Sequence, residues 1–250
     1  MEPTPTRKGI LLGLAAVALA AFFVVIHVLA LPAKLRYPGE LNFIEGQVMV
    51  EMIHLRQGVP IYAPPSAQGY DAANFGPLYY MVGARLVDPQ KPAYLPLRVL
   101  SLLGVLVCAV VASLMAFRLS RNWLAALLAP LLFLSYGLVF RHGASARSDM
   151  VALFLVFTGF TVAHRFRTSR ALLLAVPFML GGFYYKQQFV AGPLAVLIFL
   201  LLEKRFRLAA EFTGLMVLGG LAFLAVIQYV IFPGQAFLRH FVLYNLLPFT

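Results

Sequence analysis

Charge is scarce in this chain. Of its 250 residues only 12% are charged, while 62% are hydrophobic. A soluble domain carries roughly a quarter charged and about half apolar residues. Here the excess comes in blocks of spanning length, which predicts a polytopic membrane protein. Acids are the scarcer sign, nine against twenty basic residues. A basic balance can mark nucleic-acid binding, but these cations stand in short turns rather than on one face, so no nucleic-acid partner is expected. Cysteine is almost missing. Cys108 is alone inside an apolar run, which excludes a disulfide framework or a cysteine metal site within the chain. His27, His54, His142, His164 and His240 are too scattered to suggest a metal set. A glycine-rich nucleotide loop with its lysine is absent, and so is a serine elbow.

What polarity there is gathers in one stretch. Tyr37 to Tyr80 holds four of the nine carboxylates: Glu40, Glu45, Glu51 and Asp71. It lies between the first apolar run, Ile10 to Leu31, and the next. That first run is spanning length and longer than a signal sequence's core of roughly 7–15 residues, so it reads as a retained helix. Within the polar stretch, Phe43 to Gln57 reads as an amphipathic helix lying on the membrane, closed by Gly58 and Pro60. Pro64 to Asn74 is turn-rich, and Pro77 to Val87 reads as a second short amphipathic helix.

The apolar blocks predict an all-α fold of about seven transmembrane helices in one domain over residues 1–250, with a long outer loop over 32–96. They run over about 9–31, 97–117, 123–140 with Pro130 as a possible kink, 150–163, 171–184, 189–202 and 212–231. Three are short for a span of ~20 residues, and the fifth and sixth would also fit a re-entrant hairpin with Lys186 at its tip. Gln235 to Thr250 reads as another surface helix or the start of a second polar loop.

The basic residues orient this arrangement. With the N-terminus in the cytoplasm, ten fall inside: Arg7, Lys8, Arg118, Arg121, Arg165, Arg167, Arg170, Lys204, Arg205 and Arg207. Only Arg141, Arg147, Lys186 and Arg239 fall in short outer segments, and long loops count little. The expected topology is a cytoplasmic N-terminus and an external long loop. Glu45 and Asp71, then Arg141, His142, Arg147 and Asp149, then Lys186, Gln187 and Gln188, all land on that outer face. Charges near a bilayer are costly unless paired or functional.

Each of these residues has a plain reading beside a functional one. Glu45 fits a helix N-terminal acid favoured by the dipole, or a general base. Glu51 reads as a solvated charge and Asp71 as a turn cap or a functional acid. Asp149 fits a helix cap with Arg147 reaching to head groups, and Lys186 fits either a snorkelling cation or a phosphate ligand.

The order of these pieces carries a resemblance. Glu45-Gly46, then Gly58 to Tyr62, then Pro77-Leu78-Tyr79-Tyr80 resembles the first outer loop of GT-C-fold membrane glycosyltransferases, closest to the protein O-mannosyltransferase and aminoarabinose-transferase branch. Arg147-Ser148-Asp149-Met150 is similar to the family's Arg-x-Asp at a helix start, and Tyr185-Lys186-Gln187-Gln188 to its Lys-Gln turn. The resemblance covers most of residues 37 to 202. Two departures stand out: Ile44 replaces the first acid of the family's acidic pair, and the chain is short for the family, as expected of a fragment, a truncated product or a minimal relative.

The resemblance implies a transferase in the bacterial inner membrane with its active site outside. It would move a sugar from a polyprenyl-phosphate donor to a glycan, lipid or protein acceptor. Glu45 would be the catalytic base, and Lys186 and Arg147 would hold the donor phosphate. Asp149, Asp71, Gln187 and Tyr80 would support them, with a divalent metal ion used in some branches. Two rival classes fit the same composition: a lipid or solute transporter or flippase, and a non-catalytic membrane scaffold.

Overall fold

Among the described residues, three stretches are long and apolar enough to cross a membrane: Leu11–Arg36, Leu95–Ser120 and Phe206–Ile231. The computed structural model describes residues 7–63 and 73–243, and all regular structure among them is helical. The expected all-α class is therefore observed, but with three candidate spans rather than about seven.

The chain opens with α1 (Arg7–Arg36), which runs five residues past its expected end. The polar stretch then holds α2 (Ile44–Arg56) and α3 (Pro77–Leu86). The second long helix is α4 (Leu95–Ser120). It is followed by α5 (Trp123–Ser135) and α6 (Gly137–His142), then by α7 (Asp149–Arg165). A 3-10 turn over Arg170–Ala175 leads into α8 (Val176–Tyr185), and another over Gln187–Val190 leads into α9 (Ala191–Leu202). The third long helix, α10 (Phe206–Val226), finishes in a π-turn over Ile227–Ile231. Of the tail, only a π-turn over Arg239–Leu243 is regular among the described residues.

The shortfall in spans has local causes. The third expected span breaks at Tyr136, whose backbone is extended (ψ 130°). There the Ser135 hydroxyl donates back to the Leu132 carbonyl, a bond that competes with the helical ladder, and Gly137 follows. Pro130 is carried inside α5 without ending it. The two segments flanking Lys186, Arg170–Tyr185 and Gln187–Leu202, stay short even with their opening 3-10 turns, because the backbone is extended at Lys186 between them (ψ 116°).

The polar stretch is not a strap lying on the surface. α2 buries Glu45, Val48, Met49, Glu51 and Met52, and joins α3 in the main apolar core with Tyr62, Tyr79, Tyr80, Tyr184 and Phe237. Each large side chain buried this way contributes about 1.5–3 kcal/mol, so this cap is firmly seated on the bundle. Two glycines permit the seating. A Cβ on Gly76, just before α3, would overlap the Tyr184 carbonyl, and one on Gly104 in α4 would press into the backbone of Met150 in α7.

The bundle thus has two distinct ends. The starts of α4 and α7, the end of α8 and the α2–α3 cap lie at one end. The basic turns after α4, α7 and α9 lie at the other, about 25 Å away along α7. Elsewhere α1 and α10 leave broad apolar faces bare, including Leu12, Leu29, Leu218 and Val230, far more than a soluble monomer exposes.

Candidate functional site

Two charged clusters share the capped end. The first is built on Arg98, in the first turn of α4, and Glu45, in the first turn of α2; both are fully buried. Arg98 Nη2 donates to Glu45 Oε2 at 2.7 Å and Arg98 Nε to Oε1 at 3.2 Å. The rest of the guanidinium donates to the carbonyls of Lys34 (3.0 Å), Tyr37 (2.5 Å) and Gly39 (2.6 Å). Glu45 in turn accepts the backbone N–H of Leu41 (2.6 Å) and of Ala146 (2.5 Å). Every donor of the arginine and two bonds on each carboxylate oxygen are taken.

The second cluster is half-open. Asp149, in the first turn of α7, accepts Lys186 Nζ on Oδ1 at 2.6 Å and Arg147 Nε on Oδ2 at 2.9 Å. The side-chain exposures are 26% for Asp149, 18% for Arg147 and only 8% for Lys186. Lys186 also stands 5.2 Å from the centre of the Phe75 ring. Burial pushes the Asp149 carboxyl up, but the two cations outweigh it and hold it below the usual carboxylate range.

Several polar atoms around this cluster are buried with no hydrogen-bond partner among the described residues: the hydroxyls of Tyr79, Tyr185 and Ser148, Nδ1 of His142 and Oε1 of Gln187. Buried polar groups are ordinarily satisfied, so their concentration beside an ion triad marks a place where a polar ligand would complete the bonding. Burial raises the Tyr79 hydroxyl well above its ordinary pKa, with Tyr185, Glu45 and Asp149 adding to it. It is a neutral donor at working pH. Burial and the Arg147 charge depress His142, which keeps it neutral too.

The expected residues divide as follows. Arg147, Asp149 and Lys186 meet; Gln187, next to Lys186 in the chain, instead donates its Nε2 to the Asn74 carbonyl at 2.9 Å. Glu45 is at the same end but locked in its own clamp. Tyr80 turns away: its hydroxyl accepts the Phe75 N–H at 3.3 Å and bonds Glu51. Its neighbour Tyr79 is the one electrostatically coupled to Asp149 and Arg147. Glu51 is buried rather than solvated, and Gln47 Nε2 donates to it at 3.1 Å. Asp71 lies outside the described residues. The residue that sequence reasoning missed is Arg98; a guanidinium one turn into a spanning-length apolar helix was the available signal.

No three His, Cys, Asp or Glu side chains group to hold a metal ion among the described residues. Both Asp149 oxygens already face cations, so this donor set does not fit a divalent ion.

An apolar groove of about 320 Å³ runs between α8, α9 and α10, with no residue of the triad in its lining. Leu180, Leu197, Phe212 and Met216 line its length. Phe183 and Val190, which bracket Lys186 in the chain, also line it. The Tyr184 hydroxyl, donating to the Gly220 carbonyl at 2.6 Å, ties α8 to α10 there.

Compared with family models, curated proteins and solved structures, the chain matches none.

Proposed function

We propose that this protein is a membrane glycosyltransferase that takes a sugar from a polyprenyl-phosphate donor at the capped end of the bundle. The observation that carries the reading is the Lys186–Asp149–Arg147 triad with unpartnered buried hydroxyls near it, and an apolar groove whose lining includes Phe183 and Val190 on either side of Lys186 in the chain. The groove suits an isoprenoid chain and the two cations suit a phosphate. The three long helices anchor the chain in the bacterial inner membrane with the N-terminus in the cytoplasm and the cap outside, and the shorter helices pack among them.

In this reading the donor phosphate replaces Asp149 as the partner of Lys186 and Arg147. As the bond between the sugar's anomeric carbon and the phosphate oxygen breaks, charge grows on that oxygen, and fixed cations in a partly dry site stabilise it. The freed Asp149 carboxylate takes the proton of the acceptor hydroxyl or amine as the new bond forms at the anomeric carbon. This moves the base from Glu45, to which the sequence pattern pointed, to Asp149. Glu45 would have to give up four hydrogen bonds to act.

The test is transfer of labelled sugar from polyprenyl-phosphate donors by the full chain reconstituted in vesicles. Turnover that disappears in Asp149→Asn supports the reading; no turnover and no binding with any such donor refutes it. The saturated Glu45 and the Ile44 departure favour a second reading, a non-catalytic relative that retains the lipid site and positions a partner. Donor binding without turnover distinguishes it.

A further inference from the structure

The opposite end of the bundle carries a feature that neither the clamp nor the triad explains. The last turns of α4 and α7 enclose a hollow of about 430 Å³ lined by Arg118, Arg121, His164, Arg165 and Arg167. Its lining contains no acid. None of these four arginines forms an ion pair among the described residues. The adjoining hollow differs: there Glu211 already pairs with Arg170 and Arg207. Arg205 joins the two by donating to the Arg167 carbonyl at 2.6 Å.

Helix dipoles favour a cation at each C-terminus, and basic turns on one membrane face are a topological habit. Neither calls for four exposed arginines lining one concavity with no acid among them, Arg165 resting 5.4 Å from the centre of the Phe166 ring. Arg121 adds a backbone cost, since it holds φ at 53°, a left-handed conformation that suits glycine better. A bound anion would supply the negative charge that the lining lacks, and guanidiniums are shaped to grip phosphate oxygens in pairs. The rim identifies the source of that phosphate. Phe117, Leu119, Trp123 and Leu124 are exposed beside the hollow, at the level where α4 leaves and α5 enters the apolar layer. Tryptophan at this level is characteristic of a membrane interface.

We propose that this hollow binds the phosphate of an anionic phospholipid in the leaflet where α4 and α7 end. It is a lipid site separate from the triad, on the other face of the membrane, and it neutralises the basic turns.

The chain's single tryptophan, Trp123, stands two residues from Arg121 and reports on it directly. The full chain is reconstituted in phosphatidylcholine containing a minor share of acyl-brominated phosphatidylglycerol or, separately, of acyl-brominated phosphatidylcholine. Trp123 quenching is then compared. The site predicts stronger quenching by the anionic lipid, weakened roughly fivefold in relative association for each arginine removed. The preference disappears in the combined variant Arg118→Gln, Arg165→Gln, Arg167→Gln and survives in the matching lysine variant. If the combined variant does not fold, Arg165→Gln alone gives the single step. Equal quenching by both lipids, a preference that survives loss of the arginines, or its abolition by millimolar inorganic phosphate overturns the proposal.

Discussion

Arg98 and Glu45 are joined by two hydrogen bonds at the base of the cap, with no exposed atom on either side chain. The remaining Arg98 donors close on three carbonyls between Lys34 and Gly39, while Glu45 holds the Ala146 N–H. One pair thereby fixes the exit of α1, the entry of α2, the start of α4 and the loop before α7. The Asp149 cluster begins one residue beyond Ala146, so its position depends on this clamp.

Removing one partner of such a pair leaves the other charged and buried, which typically costs about 3–5 kcal/mol. Arg98→Leu and Glu45→Leu are each expected to lower the unfolding midpoint sharply. The double variant is expected to lose less than the two single losses added together. Thermal unfolding of the three variants in one detergent checks this; strict additivity would show that the two side chains act independently.

Asp149→Asn tests the exchange of partners. The amide no longer competes with a phosphate for Lys186 and Arg147, so donor binding is expected to hold or tighten. Sugar transfer is expected to fall by roughly 10²–10⁴-fold, the usual contribution of a general base. Loss of binding together with transfer would instead make Asp149 a structural partner of its two cations.

Acid should weaken the fold through His142. Its folded pKa is depressed by burial and then by Arg147. The unfolded chain therefore binds the proton first, and the stability held above the unfolded value near ~6.5 is lost as pH falls toward the folded value. The unfolding midpoint should fall as pH drops below about 6.5, and His142→Asn should flatten that part of the curve. An unchanged slope in the variant would assign the acid sensitivity to another group.

Gly76→Ala is expected to lift the start of α3 off the Tyr184–Tyr185 backbone, because the new methyl has nowhere to go. Overpacking of this kind costs about 1–3 kcal/mol. Faster amide exchange around Lys186, at a temperature where the rest of the chain is unchanged, would locate the damage at the site.

Much of this was legible in the sequence because it is local. Apolar run length placed α1, α4 and α10, and the Gly58 and Pro77 signals bounded α2 and α3 within a residue or two. Alternation of basic and polar turns also put Arg147, Asp149 and Lys186 at one bundle end and Arg118, Arg121, Arg165 and Arg167 at the other, as the helix order does. What could not be read were pairings over distance. Nothing local distinguishes Tyr79 from Tyr80, since a 100° step around α3 decides which faces Asp149. Nothing local tells Glu45 that its partner is Arg98, 53 positions away. The break at Tyr136 interrupts an apolar run whose composition alone fits continuous helix.

The most direct test of the central claim is equilibrium binding of a polyprenyl-phosphate sugar to the purified chain and to Lys186→Ala, in the same lipid and salt. If the triad is the phosphate site, the wild type binds and the variant binds roughly tenfold or more weakly, as expected for loss of a charge-assisted contact. Equal affinity in the two folded proteins, or no binding by either, would contradict it.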